Sequence, residues 1–232
     1  MKNNFEKKRK ESYTNLISNK NDIIKDFDFK NKILNLIPAI FSPLYKIVLI
    51  IFGSKIGKNV KFNGKIYFKI KGSFKNLIIK NNVIFGKNVD LRNRENGKII
   101  LNDSVYLDDN VRIIAAREGI VSIGKYSEIG INTVINSGGN LDVGEFVLIA
   151  NNVNINTSTH QTFKDKYIKD QNHIHGKVSI EDDVWIGGYT TIVMNTKIGL
   201  GAVVGANSFV NSDLREFSIN VGSPAKEINQ RL

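Results

Sequence analysis

An aliphatic residue recurs at every sixth position in the C-terminal part of this sequence. The positions are Ile180, Ile186, Ile192, Ile198, Val204 and Val210. Small or β-branched residues follow four places later, at Val184, Thr190, Thr196, Ala202 and Ser208. A period of six matches neither the helical repeat nor the alternation of a single strand. It indicates that the chain turns after each short straight segment and returns to the same place, which stacks the aliphatic residues into the core of a prism.

Glycine and asparagine are the residues that we expect at the corners of this prism. Gly187, Gly199 and Gly205 each directly follow an aliphatic core residue. Glycine tolerates backbone conformations that are costly for other residues. We therefore predict that these three positions adopt such conformations.

The same period can be followed upstream in groups of three, and each group predicts one coil of about eighteen residues. The groups are Ile56, Phe62 and Phe68; Ile79, Phe85 and Leu91; Leu101, Leu107 and Ile113; Ile123, Ile129 and Ile135; and Val143, Ile149 and Ile155. Longer spacings between groups predict that insertions, such as residues 92–98 and 116–120, stack along one edge. That edge is a candidate for acceptor contacts, or else a loose solvated edge.

The period breaks after His160 and resumes at Ile174, which predicts a loop over residues 161–173 that is extruded from the prism. An insertion of this kind in a regular repeat is more often functional than accidental. The whole chain then divides into an N-terminal arm with an apolar helical segment (1–54), an all-β prism (55–213) and a C-terminal tail (214–232).

The N-terminal segment has three possible roles. Residues 1–30 are polar with a basic cluster, and residues 33–52 are apolar but interrupted by Pro38, Pro43 and Lys46. This apolar stretch is a candidate for helices that cap the open end of the prism, for an in-plane membrane contact, or for a membrane span. It does not have the form of a signal peptide.

The composition excludes several classes of function. The 232 residues carry a formal net charge of +11 and include no cysteine. Without cysteine there is no disulfide, no thiolate metal site and no thiol nucleophile. No nucleic-acid-binding motif accompanies the charge, so we interpret it as a solvated surface first and as a site for an anionic substrate or membrane second. We expect a cytoplasmic protein, at the inner face of the membrane if the N-terminal segment contacts lipid.

Three C-terminal motifs carry a family resemblance. They are VWIGG at 184–188, GAVVGANS at 201–208 and VGSPAKEI at 221–228. Together with the sixfold period they resemble the left-handed parallel β-helix, or hexapeptide-repeat, acyltransferases. The motifs are most similar to the sugar O-acetyltransferase branch, which includes the maltose and galactoside acetyltransferases. The resemblance implies the left hand, a homotrimer, and acetyl-CoA bound in the groove between neighbouring prisms.

His160 is the candidate catalytic residue. It lies at the mouth of the extruded loop, where the resemblance places the catalytic histidine of the family. A hydroxyl is a poor nucleophile at neutral pH, and an imidazole that titrates near that pH can accept its proton during attack on a thioester. Asp142 or Glu145 could orient this imidazole, and the sequence does not decide between them.

The resemblance also implies the donor-binding residues. Trp185 would flank the pantetheine arm, and the backbone amide of Gly188 would contact the thioester and stabilise the oxyanion. Ala206 would contact the far end of the pantetheine, and Lys226 the nucleotide phosphates. The chain departs from the family at residues 211–212, which are Asn-Ser where Thr-Lys is common.

Asn132 is the candidate acceptor-binding residue, because it aligns with a polar segment on the acceptor side of the sugar acetyltransferases. The neighbouring position, Gly130, is often asparagine in that branch. Asn132 could equally be a corner residue of the prism.

These observations predict an acetyl-CoA-dependent O-acetyltransferase that acts on a sugar hydroxyl, in surface polysaccharide biosynthesis, without a covalent enzyme intermediate or a metal. Three alternatives stay open. The acceptor could be an amino sugar; the prism could be a trimeric scaffold without activity; or His160, His173 and His175 could bind zinc, as in the γ-class carbonic anhydrases. His173 and His175 flank Ile174 and would share a face of an extended segment.

Overall fold

The computed structural model describes residues 29–30, 32–33 and 44–232, and the first four of these residues are helical. Helix α1 (Leu44–Ile51) directly precedes the first strand. Two short 3-10 turns lie at Phe74–Asn76 and Ile168–Asp170. The predictions for the basic cluster, Pro38 and Pro43 lie outside the described residues.

Within the described residues, twenty-five short strands form three long sheets and one hairpin. Sheet A has seven strands: β1 (Lys55–Ile56), β4 (Leu77–Ile79), β7 (Lys98–Leu101), β10 (Ile120–Ile123), β13 (Asn140–Val143), β18 (Lys177–Ile180) and β21 (Thr196–Ile198). Sheet B has nine: β2 (Lys61–Phe62), β5 (Ile84–Phe85), β8 (Tyr106–Leu107), β11 (Glu128–Ile129), β14 (Leu148–Ile149), β19 (Trp185–Ile186), β22 (Val203–Val204), β24 (Ser218–Val221) and β25 (Lys226–Gln230).

Sheet C completes the triangular prism. Its seven strands are β3 (Ile66–Ile70), β6 (Val89–Asn93), β9 (Arg112–Ala115), β12 (Val134–Ser137), β15 (Asn154–Asn156), β20 (Thr191–Val193) and β23 (Phe209–Val210). Each coil contributes one strand to each sheet in the order A, B, C, and neighbouring coils pair in parallel. Only β25 runs antiparallel to its neighbour in these three sheets. The predicted parallel β-helix is therefore confirmed.

The core is the stack of aliphatic residues that the sixfold period predicts. The positions of the predicted columns are buried, except Ile56, which is half-buried against the core, and Ile174, which is exposed. The register keeps like residues in contact, as in the column Ile135, Ile155 and Ile192. Burial of each such side chain stabilises the fold by about 1.5–3 kcal/mol.

The corner glycines are needed for a different reason from the one predicted. Gly187, Gly199 and Gly205 do not have positive φ angles; in each case a β-carbon would approach the next coil to 2.5–2.7 Å. The left-handed backbone conformation occurs instead at other corner positions, such as Asn132 (φ 60°) and Asn207 (φ 57°). The glycines therefore permit close approach of neighbouring coils, while asparagine often supplies the left-handed turn.

The extruded segment is an antiparallel hairpin. Strands β16 (Ser158–His160) and β17 (His173–His175) pair with each other and with no sheet of the prism. The core column resumes in β18, at Val178 and Ile180, and not at Ile174. Ile174 has the spacing of a core residue, but it lies on the hairpin and is 43% exposed.

Helix α1 covers the first coil. Tyr45 and Leu49 face inwards and are fully buried. The Tyr45 hydroxyl accepts a hydrogen bond from the Ile66 backbone N–H at 3.2 Å, and its ring packs 5.5 Å from the ring of Phe62. The described residues include no helix with the length and apolarity that a membrane span requires.

Candidate active site

Four of the predicted donor-site residues lie along one edge of the prism, between sheets B and C, which we call edge BC. Gly188 and Ala206 occupy equivalent corners of neighbouring coils, and the Asn207 N–H donates to the Gly188 carbonyl at 2.9 Å. Trp185 lies on β19, just before the Gly188 corner. Lys226 is opposite Val221 in the antiparallel pair of strands β24 and β25. This position is at the end of β24 that reaches edge BC, one coil beyond Ala206. Residues that are far apart in sequence therefore form one line.

The backbone amides at this edge are available to a ligand. Within the described residues, neither the N–H of Gly188 nor that of Ala206 donates a hydrogen bond. The corner itself is close-packed: Gly188 is half-buried, and a β-carbon there would lie 2.8 Å from the Asn151 Oδ1 atom. A free, rigidly held amide is the group that an oxyanion site requires.

Trp185 belongs to an exposed apolar strip on sheet B. Its side chain is 52% exposed, and Leu148, its partner on the previous coil, is 49% exposed. An indole that remains half in water offers an apolar wall to an extended ligand arm.

Lys226 is exposed, and it makes no ion pair with another described residue. The neighbouring carboxylate, Glu227, accepts two hydrogen bonds from Arg215 at 2.9 and 2.6 Å. These hydrogen bonds are the main reason that the pKa of Glu227 is lowered. Because Arg215 neutralises Glu227, the Lys226 ammonium stays free for an anionic ligand.

His160 lies on the hairpin, which leaves the prism at the edge between sheets C and A, here called edge CA. It is directly opposite His173 in the hairpin, and the centroids of the two rings are 4.0 Å apart. The His175 ring is stacked 6.1 Å from that of His173, so these two residues share a face as predicted. His160 is exposed at the mouth of the loop.

The surroundings of His173 disfavour its protonation. The pKa of His173 is lowered, first by desolvation and then by the positive charges of His160, Arg117 and His175. Arg117 comes from one of the insertions that we expected to stack along one edge. Insertions at 94–97, 116–119 and 138–139 all lie between strands of sheets C and A, on the same edge as the hairpin.

Buried hydroxyl groups hold the base of the hairpin. The hydroxyls of Ser137 and Thr157 are 3.1 Å apart and fully buried, and Thr157 also accepts from the Gly139 N–H at 2.9 Å. The His175 ring lies against Gly138, where a β-carbon would be 2.5 Å from the Nδ1 atom. Neither the Ser137–Thr157 contact nor the packing of His160 on His173 was predicted from the sequence. The only available signal was the short polar stretch on each side of the loop.

Asn132 lies on edge BC, two corners before Gly188. It is the end of an asparagine ladder in which Asn88 Nδ2 donates to Asn110 Oδ1 at 3.2 Å and Asn110 Nδ2 donates to Asn132 Oδ1 at 3.1 Å. The ladder and the positive φ angle explain an asparagine here without a ligand. The Nδ2 group of Asn132 donates to no described residue, so it is available to an acceptor.

Within one chain, His160 and the donor-site residues lie on different edges, CA and BC, with sheet C between them. Neither candidate carboxylate is hydrogen bonded to His160. Asp142 pairs with Lys177 at 2.8 Å, and Glu145 lies 3.9 Å from Lys125. In the described part of the chain, no three His, Asp or Glu side chains are arranged to hold a metal ion.

Similar proteins place this chain in a family, although no family model matches it. A Mycobacterium tuberculosis protein named a probable acetyltransferase is 31% identical over 157 residues, which cover 67% of this chain and 52% of that protein. An Escherichia coli dTDP-4-amino-4,6-dideoxy-D-glucose acyltransferase is 30% identical over 141 residues, covering 56% of this chain and 73% of its own length.

A solved structure agrees with these relatives. A mutant of AntD, an N-acyltransferase from Bacillus cereus in complex with dTDP and coenzyme A, matches with a TM-score of 0.52 and 26% identity, over 82% of this chain and 89% of the AntD chain. The prism, the extruded hairpin and the line of residues on edge BC define a hexapeptide-repeat protein. With these relatives, the chain belongs to the hexapeptide-repeat acyltransferase family. The matched segment spans about half of the mycobacterial protein.

Proposed function

We propose that this protein transfers an acetyl group from acetyl-CoA to a hydroxyl group of a sugar. The observation that carries the proposal is the combination of an exposed imidazole on the hairpin, His160, with a backbone amide on edge BC, at Gly188, that donates to no described residue. Acyl transfer from a thioester needs a base for the nucleophile and a donor for the oxyanion. The membership of the family supplies the acyl-CoA donor.

His160 acts as the general base. The acceptor hydroxyl gives its proton to the imidazole while its oxygen bonds to the thioester carbonyl carbon. The resulting oxyanion accepts a hydrogen bond from the Gly188 N–H. Collapse of this intermediate breaks the carbon–sulfur bond, and the proton passes from His160 to the sulfur, so that CoA leaves as the thiol. No covalent bond to the protein forms in this sequence.

The donor extends along edge BC. Neighbouring coils are about 4.8 Å apart. The line from Trp185 and Gly188 through Ala206 to Lys226 therefore suits a long, narrow ligand, with the thioester at Gly188 and the nucleotide phosphates at Lys226. Asn132 lies two coils, or about 10 Å, from Gly188 on the other side. This distance is suitable for contact with a sugar acceptor, and the free Nδ2 group of Asn132 would donate to it.

The complete site requires two copies of the chain in this proposal. His160 and Gly188 occupy different edges of one prism, and a homotrimer brings edge CA of one protomer to edge BC of the next. The exposed strip formed by Trp185 and Leu148 then lines the groove between protomers. Oligomeric state is measured by sedimentation equilibrium of the purified protein.

Release of free CoA from acetyl-CoA over a panel of sugars tests the activity. We expect acceptor-dependent release that falls about a hundredfold or more in His160→Ala, the usual scale for the loss of a general base. His175→Gln is the matched control, because it removes an imidazole from the same hairpin and leaves His160 in place. Equal loss in both variants, or release that is unchanged in His160→Ala, would refute the role of His160.

Acylation of an amino sugar is the second candidate function. It is favoured by the E. coli relative and by AntD, whose names specify an amino-sugar nucleotide and N-acyl transfer. An amine needs less help from a base than a hydroxyl does. The same panel therefore separates the two functions: an amino-sugar acceptor with a His160→Ala loss well below a hundredfold favours N-acylation. Assembly of a surface polysaccharide is the role that we propose for the product in either case.

A further inference from the structure

Helix α1 is apolar on both of its faces. The inner face is formed by Tyr45 and Leu49, which are buried against the first coil. The outer face carries further aliphatic side chains that the prism does not cover. They are Leu44 (44% exposed), Ile47 (56%), Ile50 (47%) and Ile51 (72%). A helix that only closed the end of a prism would be expected to have a polar outer face.

A dense group of lysines surrounds this helix. Residues 53–89 contain nine lysines and neither aspartate nor glutamate. The nine are Lys55, Lys58, Lys61, Lys65, Lys69, Lys71, Lys75, Lys80 and Lys87. All are exposed except Lys65, which is half-buried, and none forms an ion pair with another described residue. The first carboxylate after them, Asp90, is already paired with Arg92 and Arg112.

The lysines form a ring and not a patch on one side. Lys55 lies on sheet A, Lys61 on sheet B and Lys69 on sheet C of the first coil. Lys80 and Lys87 lie one coil further, about 4.8 Å along the axis. Along the prism axis the ring is therefore spread over less than one Debye length at physiological ionic strength, which is about 8 Å.

Charges at the other end of the prism are balanced. Arg215 pairs with Glu227, and Arg231 pairs with Asp183 at 2.8 Å. The cation there without an ion pair to a described residue, Lys226, is outnumbered by the carboxylates of Asp213 and Glu216. The unbalanced charge and the exposed aliphatic face thus coincide at the α1 end alone, within the part of the chain that the structure describes. An apolar centre within a ring of lysines is complementary to a lipid surface with anionic headgroups, where the aliphatic side chains enter the acyl boundary and the ammonium groups meet phosphates.

We infer that the α1 end of the prism docks on an anionic membrane surface. The helix has eight residues, about 12 Å in length, so it lies in the interface. This inference does not depend on the proposed transferase activity, because it uses no residue of the site. A nucleic acid would use the lysines but not the aliphatic face, and a protein partner would not require anionic lipid.

Vesicle flotation of the full-length chain tests the inference. Vesicles of phosphatidylcholine alone are compared with vesicles that contain about one third phosphatidylglycerol, and we expect binding only to the latter at physiological salt. Each lysine near the surface contributes about fivefold to the partition coefficient. Lys58→Gln/Lys71→Gln should therefore reduce binding by about 25-fold or somewhat less. Ile47→Ser/Ile51→Ser should reduce it by tenfold or more, through the loss of buried apolar area.

Lys125→Gln/Lys177→Gln is the matched control, since it removes the same charge several coils away from α1. It should bind as the wild-type chain does. Binding that falls equally in both lysine variants would show a response to net charge alone and would overturn the inference. So would binding that is insensitive to the Ile47→Ser/Ile51→Ser change, or no binding to either vesicle, which is the result expected if residues 1–43 of this chain cover the outer face of α1.

Discussion

Replacement of Gly124 by alanine separates two explanations for the corner glycines. Gly124 follows the core residue Ile123 at the corner between sheets A and B. Its φ angle lies outside the left-handed region, so alanine meets no backbone penalty there. A β-carbon at this position would lie 2.1 Å from the Gly144 carbonyl oxygen and 2.3 Å from the carbonyl carbon. The substitution therefore tests the contact between coils alone.

The expected cost follows from these distances. An ordinary contact is about 3.4–4 Å, so the two coils must separate by more than about 1 Å at this corner. This displacement disrupts the hydrogen bond from the Gly124 N–H to the Val143 carbonyl, which is 2.8 Å long. A lost hydrogen bond costs about 0.5–1.5 kcal/mol and an overpacked contact about 1–3 kcal/mol. We expect a total of about 2–4 kcal/mol and a decrease in the apparent Tm of about 5–15 °C.

Thermal unfolding followed by circular dichroism measures the effect. Lys125→Ala is the control at the same corner and should cost within about 0.5 kcal/mol. Gly124→Asn provides the decisive comparison, because asparagine is tolerated where a corner needs the left-handed conformation. If steric contact is the cause, Gly124→Asn is at least as destabilising as Gly124→Ala. A Gly124→Asn chain with nearly wild-type stability would refute the argument from contact.

Substitutions at two further positions, His173 and Asn132, test other parts of the structure by the same thermal measurement. The lowered pKa of His173 means that the unfolded chain binds its proton more readily than the folded chain does. Stability should therefore fall as the pH decreases through about 6.5, the pKa of histidine in the unfolded chain. His173→Gln should reduce this pH dependence. A pH profile that is unchanged in this variant would contradict the assignment of the pH dependence to His173. Asn132→Ala should lose the hydrogen bond from Asn110 and also strain the left-handed backbone, for a cost of about 1.5–3 kcal/mol. Asn132→Gly should lose the hydrogen bond alone and cost about 1 kcal/mol, so equal costs would count against the strain.

The sequence was sufficient for the core but not for the contacts between coils. The sixfold period identifies the buried positions because each one depends only on its distance along the chain from the next. The reason for glycine at 187 lies in its distance to Ala206, which the sequence alone does not provide. Ile174 shows where the sixfold period led to a wrong prediction. It has the correct spacing for the column, but a hairpin register, which no period describes, places it outside the core.

The same distinction explains how the candidate site was predicted. Trp185, Gly188 and Ala206 were predicted from the family resemblance of their motifs, and the regular repeat places all three along one edge. Their roles at that edge stay predictions. The packing of His160 on His173 could not be predicted, since it depends on where a non-repetitive loop turns back. Inner-column residues fix the spacing of the coils, and outer-edge residues are free to differ from coil to coil. An edge with contacts at about 4.8 Å intervals suits an extended donor. In the function that we propose, the base that faces the compact acceptor lies on an element that breaks the repeat, the hairpin that carries His160.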